Sequence, residues 1–259
     1  NNANTLLNGS VSLASGGLWS GGLGIFTPNN STLNAIYTPT AGEIASGIIT
    51  LTLTTTGNGN CNSETDYMTI SFTTAPTVNA GIDQTVCANN PVVYLTGNIT
   101  LASGGIWTGG NGTFSPDNTS LTTQYIPFAA EIAAGSVTLT LTSTGNGNCA
   151  PVSDDIVITI APTPVVNAGA DQISCANNAA IILSGTVANA TGGIWSGGSG
   201  VFNPGNTSLN PTYTPSASEI SAGVVTLTLT STGNGNCIAT NDQVTLTINP
   251  APIVNAGSN

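Results

Sequence analysis

The stretch VTLTLTSTGNGNC at Val137–Cys149 recurs unchanged at Val225–Cys237, and Ile49–Cys61 differs from it only slightly. Its first half alternates Val or Leu with Thr, the period-2 pattern of a strand with one buried and one wet face. Its second half is a Gly-Asn turn that ends on a cysteine. Working outward, the same interval of 88 residues separates Trp19, Trp107 and Trp195, as it does Tyr37, Tyr125 and Tyr213, and Glu43, Glu131 and Glu219. The register never slips. A period of this length marks a tandem array of one structural unit, and it takes precedence over any residue-level reading.

Val78-Asn79-Ala80-Gly81 and Val166-Asn167-Ala168-Gly169 open the second and third copies, and Val254-Asn255-Ala256-Gly257 opens a fourth. Asn1-Asn2 aligns with Asn89-Asn90, so the first copy begins after its opening strand. The expected units are 1–75, 76–163, 164–251 and 252–259, a window on a longer array. Within a unit, Val137–Thr144, Ile156–Ile160, Val92–Thr96 and Thr122–Ile126 read as strands. Ile106-Trp107 and Thr113-Phe114 read as two shorter ones, and Ala80–Cys87 as an opening edge strand. About seven strands with turn signals every 8–12 residues predict an immunoglobulin-like β-sandwich, so the fold class is all-β. The helical hints are single turns with capping-box spacing at Thr40/Glu43 and Ser216/Glu219. Phe128 leaves the box incomplete in the second copy.

Composition excludes whole classes of function. The 259 residues carry no Lys, Arg or His and eleven acidic residues, for a formal charge of −11. Nucleic acid needs cations to displace its counterions, and an anionic membrane surface would repel this chain. His- or Lys-dependent catalysis and His-ligated zinc are impossible within it. No dense oxygen cage for calcium is visible, although Asp83 or Asp171 near the junctions, or the adjacent Asp154-Asp155 pair, are the places one would sit. The expectation is no enzyme, no cofactor and no metal.

The Asn-Ala-Gly-x-Asp-Gln-x-x-Cys opening (Asn79–Cys87, Asn167–Cys175), the Gly-Gly-x-Trp-Ser/Thr-Gly-Gly core and the late Gly-Asn-Cys resemble PKD-like immunoglobulin-fold repeats. The Gly-x-Phe-x-Pro-x-Asn-x-Ser/Thr-Leu run (Gly112–Leu121, Gly200–Leu209) is similar to the version in giant surface adhesins of gliding bacteria that use type IX secretion. That resemblance implies an extracellular, cell-surface filament used in attachment or gliding. Its partners would be neighbouring repeats of the same chain, laterally associated filaments, and a surface or glycan ligand at a tip outside this window. A competing reading is a carbohydrate- or surface-binding module repeated for avidity. Trp19, Trp107 and Trp195 decide between the two. Exposed between glycines they would stack on sugar; buried, they are the core of a sandwich.

The cysteines come as one early and one late position per copy, with five in the window: Cys61, Cys87, Cys149, Cys175 and Cys237. Two per copy points to an oxidising compartment. Pairing within each copy gives Cys87–Cys149 and Cys175–Cys237, with Cys61 bonded outside the window, and is the expectation because each copy carries its own pair. An up-and-down count of strands instead sets the early Cys at one end of its sandwich and the late Cys at the other. That layout would bring Cys87 to Cys237 across a junction.

Overall fold

The computed structural model describes residues 3–257 and is built from β-sandwiches, one per repeat. The second repeat illustrates all three. Its four-stranded sheet runs in the order Gly104–Thr108, Ser136–Thr144, Ser153–Ala161, Gln84–Cys87. Facing it is a three-stranded sheet of Thr113–Ser115, Thr122–Ile126 and Val93–Thr96, with a two-stranded ribbon of Asn98–Thr100 and Thr77–Asn79 at the side. The third repeat reproduces this arrangement strand for strand, and the described part of the first retains the two principal sheets as three strands each.

The alternating strands behave as their pattern dictates. Along Ser136–Thr144, Val137, Leu139, Leu141 and Ser143 are buried while the residues between them face outward. Ile156, Ile158 and Ile160 do the same on the next strand. These side chains and Trp107 of the same sheet meet Val93, Leu95 and Tyr125 of the facing sheet in one apolar cluster, and equivalent clusters fill the other two repeats. Trp107 stands opposite Leu141 in the ladder. Small residues make room for its indole: a Cβ on Gly97 would lie 3.0 Å from the ring and 2.4 Å from Leu141.

The opening segment differs from a single strand over Ala80–Cys87. It splits into Thr77–Asn79 and Gln84–Cys87, with Gly81 between them at φ 96°, a conformation costly for any residue with a Cβ. The second half pairs in parallel with the closing strand, Gln84 opposite Ile158 through Cys87 opposite Ala161, where every other pairing in the repeat is antiparallel. Two aspartates fasten this segment to the closing strand. Asp154 accepts from the Ala80 N–H at 2.8 Å, and Asp83 accepts from the Val157 N–H at 2.9 Å. Asp242 and Asp171 repeat both bonds in the third unit.

One position in each repeat holds a residue other than glycine at positive φ: Leu13, Leu101 and Asn189. Asn tolerates the left-handed region, and Asn189 also donates to the Thr163 carbonyl at 3.0 Å. Leucine does neither, and Leu101 is exposed. Leu101→Asn is therefore expected to stabilise the second sandwich by roughly 1 kcal/mol, read as a higher midpoint in urea, whereas Trp107→Ala should cost about 3–5 kcal/mol.

Candidate functional site

Two places concentrate polar chemistry: a buried tyrosine–glutamate knot inside each sandwich and the cysteine-bearing junction between sandwiches.

The knot is assembled by the short helix that follows the Tyr strand. Ala41–Ser46, Ala129–Ala134 and Ala217–Ala222 are single turns of six residues, too short to persist without tertiary support. Glu131, at the third helical position, turns its carboxylate back to accept from the Phe128 N–H at 2.7 Å, and Gly135 closes the helix in the left-handed region. Thr40 and Ser216 complete the box by accepting from the N–H groups of Glu43 and Glu219; Phe128 has no side-chain acceptor to do so. The same carboxylate reaches further than a cap. The Tyr125 hydroxyl donates to it at 2.8 Å, the Asn111 N–H donates at 2.5 Å, and the Gly112 N–H donates to the tyrosine oxygen at 2.9 Å. Leu23 with Tyr37, and Ser199 with Tyr213, make the equivalent bonds elsewhere.

With no cation in the chain, these carboxylates are balanced by N–H and O–H donors alone. Burial by itself would raise the Glu43 carboxyl, but the Leu23 and Thr40 N–H groups with the Tyr37 and Thr40 hydroxyls outweigh it and hold it at about 2. Glu131 and Glu219 are lowered for the same reason. Burial, reinforced by the bond to glutamate, pushes Tyr125 and Tyr213 up to about 12. Gly110 explains the paired glycines after each tryptophan: at φ 69°, its Cβ would sit 2.0 Å from the Tyr125 hydroxyl oxygen. The knot is a closed structural device with no face open to a substrate.

The tryptophans are equally closed. Trp107 and Trp195 are 0% exposed and Trp19 is 4% exposed, so no indole face is available to a sugar. Asp83, Asp154, Asp171 and Asp242 are engaged with backbone N–H groups of their own repeats, and no group of three acidic or thiol side chains converges among the described residues.

At the junction, the structure corrects the intradomain pairing. Cys87 is bonded to Cys237 of the following repeat, with Cα atoms 4.9 Å apart, while Cys61, Cys149 and Cys175 are free thiols. The parallel ladder is the cause. It delivers Cys87 to the end where the closing strand leaves at Ala161, and Cys149 lies in the turn at that strand's opposite end. A strand of nine residues at ~3.3 Å each puts roughly 26 Å between those ends, against the 7 Å or so that a disulfide tolerates. Hydrogen bonds flank the staple. Asn89 accepts from the Ile238 N–H at 3.1 Å and donates to the Ile238 carbonyl at 2.9 Å, Asn236 donates to the Thr85 carbonyl, and Thr240 donates to the Pro164 carbonyl at 2.9 Å.

No protein-family model matches the chain, and no curated protein matches it. Solved structures similar to it include mouse cadherin-23 EC22-24, at 13% identity over 95% of this chain and 90% of that one, with a TM-score of 0.37. Mouse protocadherin-24 EC1-3 is similar at 11% identity over 94% and 93%, with a TM-score of 0.38. Sidekick-1 immunoglobulin domains 1-5 are similar at 12% identity over 95% of this chain and 57% of that one, with a TM-score of 0.39. The chain spans 53% of a protocadherin gamma B2 structure it also resembles. Likenesses this distant carry nothing about function.

The knot sets the pH range of stability. A carboxyl lowered on folding stabilises above its unfolded value and loses that contribution as pH falls through the folded one; a phenol raised on folding stabilises below about 10 and loses it as pH rises. Thermal stability should therefore be level between about pH 5 and 9, falling from about 4.5 toward 2 and again from about 10 toward 12. Glu131→Gln should lower stability by about 1–3 kcal/mol at pH 7 and flatten the acid limb, measured by melting across pH.

Proposed function

We propose that this chain is a non-enzymatic spacer segment of an extracellular, cell-surface adhesin filament, of the kind that gliding bacteria use for attachment. Its units are the four stretches 1–75, 76–163, 164–251 and 252–259. The observation that carries the reading is the covalent bond between successive sandwiches, Cys87 to Cys237, which a module acting alone has no use for. Buried tryptophans in all three repeats support it against a repeated sugar-binding module. Carboxylates committed to backbone N–H groups support it against an enzyme.

The job is reach under tension. Each sandwich contributes a long axis of roughly 30 Å, set by strands of about nine residues. Pro162 and Pro164 stiffen a short connection that the staple then closes. A uniform negative charge of −11 with no cations denies neighbouring filaments inter-chain ion pairs, and the absence of Lys and Arg removes every trypsin-type cleavage site.

Force spectroscopy tests the mechanical role. Pulled from its ends, the chain passes tension from Cys87 to Cys237 through the sulfur atoms, keeping residues 88–236 out of the path. A loop of 150 residues at up to ~3.6 Å each hides about 540 Å of contour length. Adding reductant is expected to release that length. Equal extension with and without reductant would refute the role.

A further inference from the structure

Two of the three free thiols, Cys149 and Cys175, stand at repeat-equivalent positions to the bonded pair. Cys149 stands 88 residues before Cys237, and Cys175 stands 88 residues after Cys87, so each is the repeat equivalent of one half of the observed bond. The surroundings match as well as the numbering. The Cys237 sulfur lies 3.6 Å from the Pro162 carbonyl oxygen, and the Cys149 sulfur lies 3.7 Å from the carbonyl oxygen of Thr74, the residue equivalent to Pro162. On the other half, the Cys87 sulfur lies 4.0 Å from Pro162 O and the Cys175 sulfur 3.8 Å from Pro250 O. Cys175 sits at the end of a strand that pairs in parallel with the closing strand of its own repeat, as Cys87 does. Asn178 bridges back to Cys175 as Asn90 does to Cys87.

We propose that Cys149 and Cys175 are open halves of the same staple, each formed to bond the complementary cysteine of a further copy of the repeat. Cys149 takes an early-position cysteine and Cys175 takes a late-position one. Counted at 88-residue intervals, neither complement is among these 259 residues. Successive staples then overlap. The second sandwich is held at one end through Cys149 and at the other through Cys87, so each body is gripped from both neighbours. The stretches from each late cysteine to the next early one, such as 149–175, are the extensible links between staples.

The chemistry needs an oxidant, and a low-molecular-weight disulfide such as oxidised glutathione supplies it. One protein thiolate attacks that disulfide, forming a mixed disulfide and expelling one small thiolate. The second protein thiolate then attacks the protein sulfur and expels the other. Two protein thiols lose two electrons and two protons, and the small disulfide becomes two thiols.

The test appends one further copy of residues 164–251, carrying Ile173→Val and Ile238→Val so that its cysteine peptides differ in mass from the parent's, directly after residue 251 of the full chain. The extended chain is folded in a glutathione redox buffer, alkylated, and mapped without reduction after cleavage at Asp and Glu. Cys175 is expected to bond the added copy's late cysteine, with its alkylation falling at least tenfold relative to the unextended chain. In the same molecule Cys87–Cys237 reports that the junctions have folded. In a Cys175→Ser variant of the extended chain, the added late cysteine should become alkylatable while Cys87–Cys237 persists. Bonding of the added copy's two cysteines to each other, or a Cys175 that stays alkylatable, would overturn the proposal. So would loss of Cys87–Cys237, since that bond is its premise.

Discussion

Four residues of parallel pairing, Gln84–Cys87 against Ile158–Ala161, govern how one sandwich meets the next. Had this short strand run antiparallel over the same register, Cys87 would stand opposite Ile158, about 10 Å back from the exit at Ala161 and away from the next repeat. Running parallel, it carries Cys87 to the exit of the chain and leaves it facing the next repeat. Backbone hydrogen bonds supply the ladder, and Asp154 and Asp83 fix its direction by holding Ala80 and Val157. On the chain-entropy account, closing a loop of 150 residues contributes about 5 kcal/mol against unfolding. That is comparable to the whole stability of a small domain, so the two sandwiches share it as one body.

The absence of cations shapes the rest. A carboxylate in such a chain has only amides and hydroxyls to balance it, and the acidic side chains are spent accordingly. Glu43, Glu131 and Glu219 each gather a loop, a helix start and a tyrosine around one charge. Asp83 and Asp171 each hold a backbone N–H of the closing strand, and Asp154 and Asp242 each hold one of the opening segment. Charge that would ordinarily serve binding is here part of the scaffold.

Much of this was legible in the sequence and some was not, for physical reasons. Alternation in Val137–Thr144 and the burial it implies are local properties, so the sandwich followed from pattern alone. The Thr40/Glu43 and Ser216/Glu219 spacing marked the helix starts; the reach of those glutamates to Leu23, Asn111 and Ser199 depends on contacts twenty residues back in the chain that no local signal encodes. The fixed 88-residue interval between Gly-Gly-x-Trp, Tyr and Glu was the available clue. Strand direction was invisible in the same way: Gln84–Cys87 reads identically whether parallel or antiparallel. An up-and-down count of strands did place the two cysteines of a repeat at opposite ends, and that geometric objection outweighs the economy of pairing within a copy.

Everything at the junction depends on its being covalently closed, and a disulfide map of this chain tests that most directly. Cleavage at Asp and Glu under non-reducing conditions, followed by mass spectrometry, is predicted to yield a peptide joining Cys87 to Cys237, with Cys61, Cys149 and Cys175 recovered as thiols. A peptide joining Cys87 to Cys149 would contradict it and return each sandwich to a self-contained unit on a flexible string.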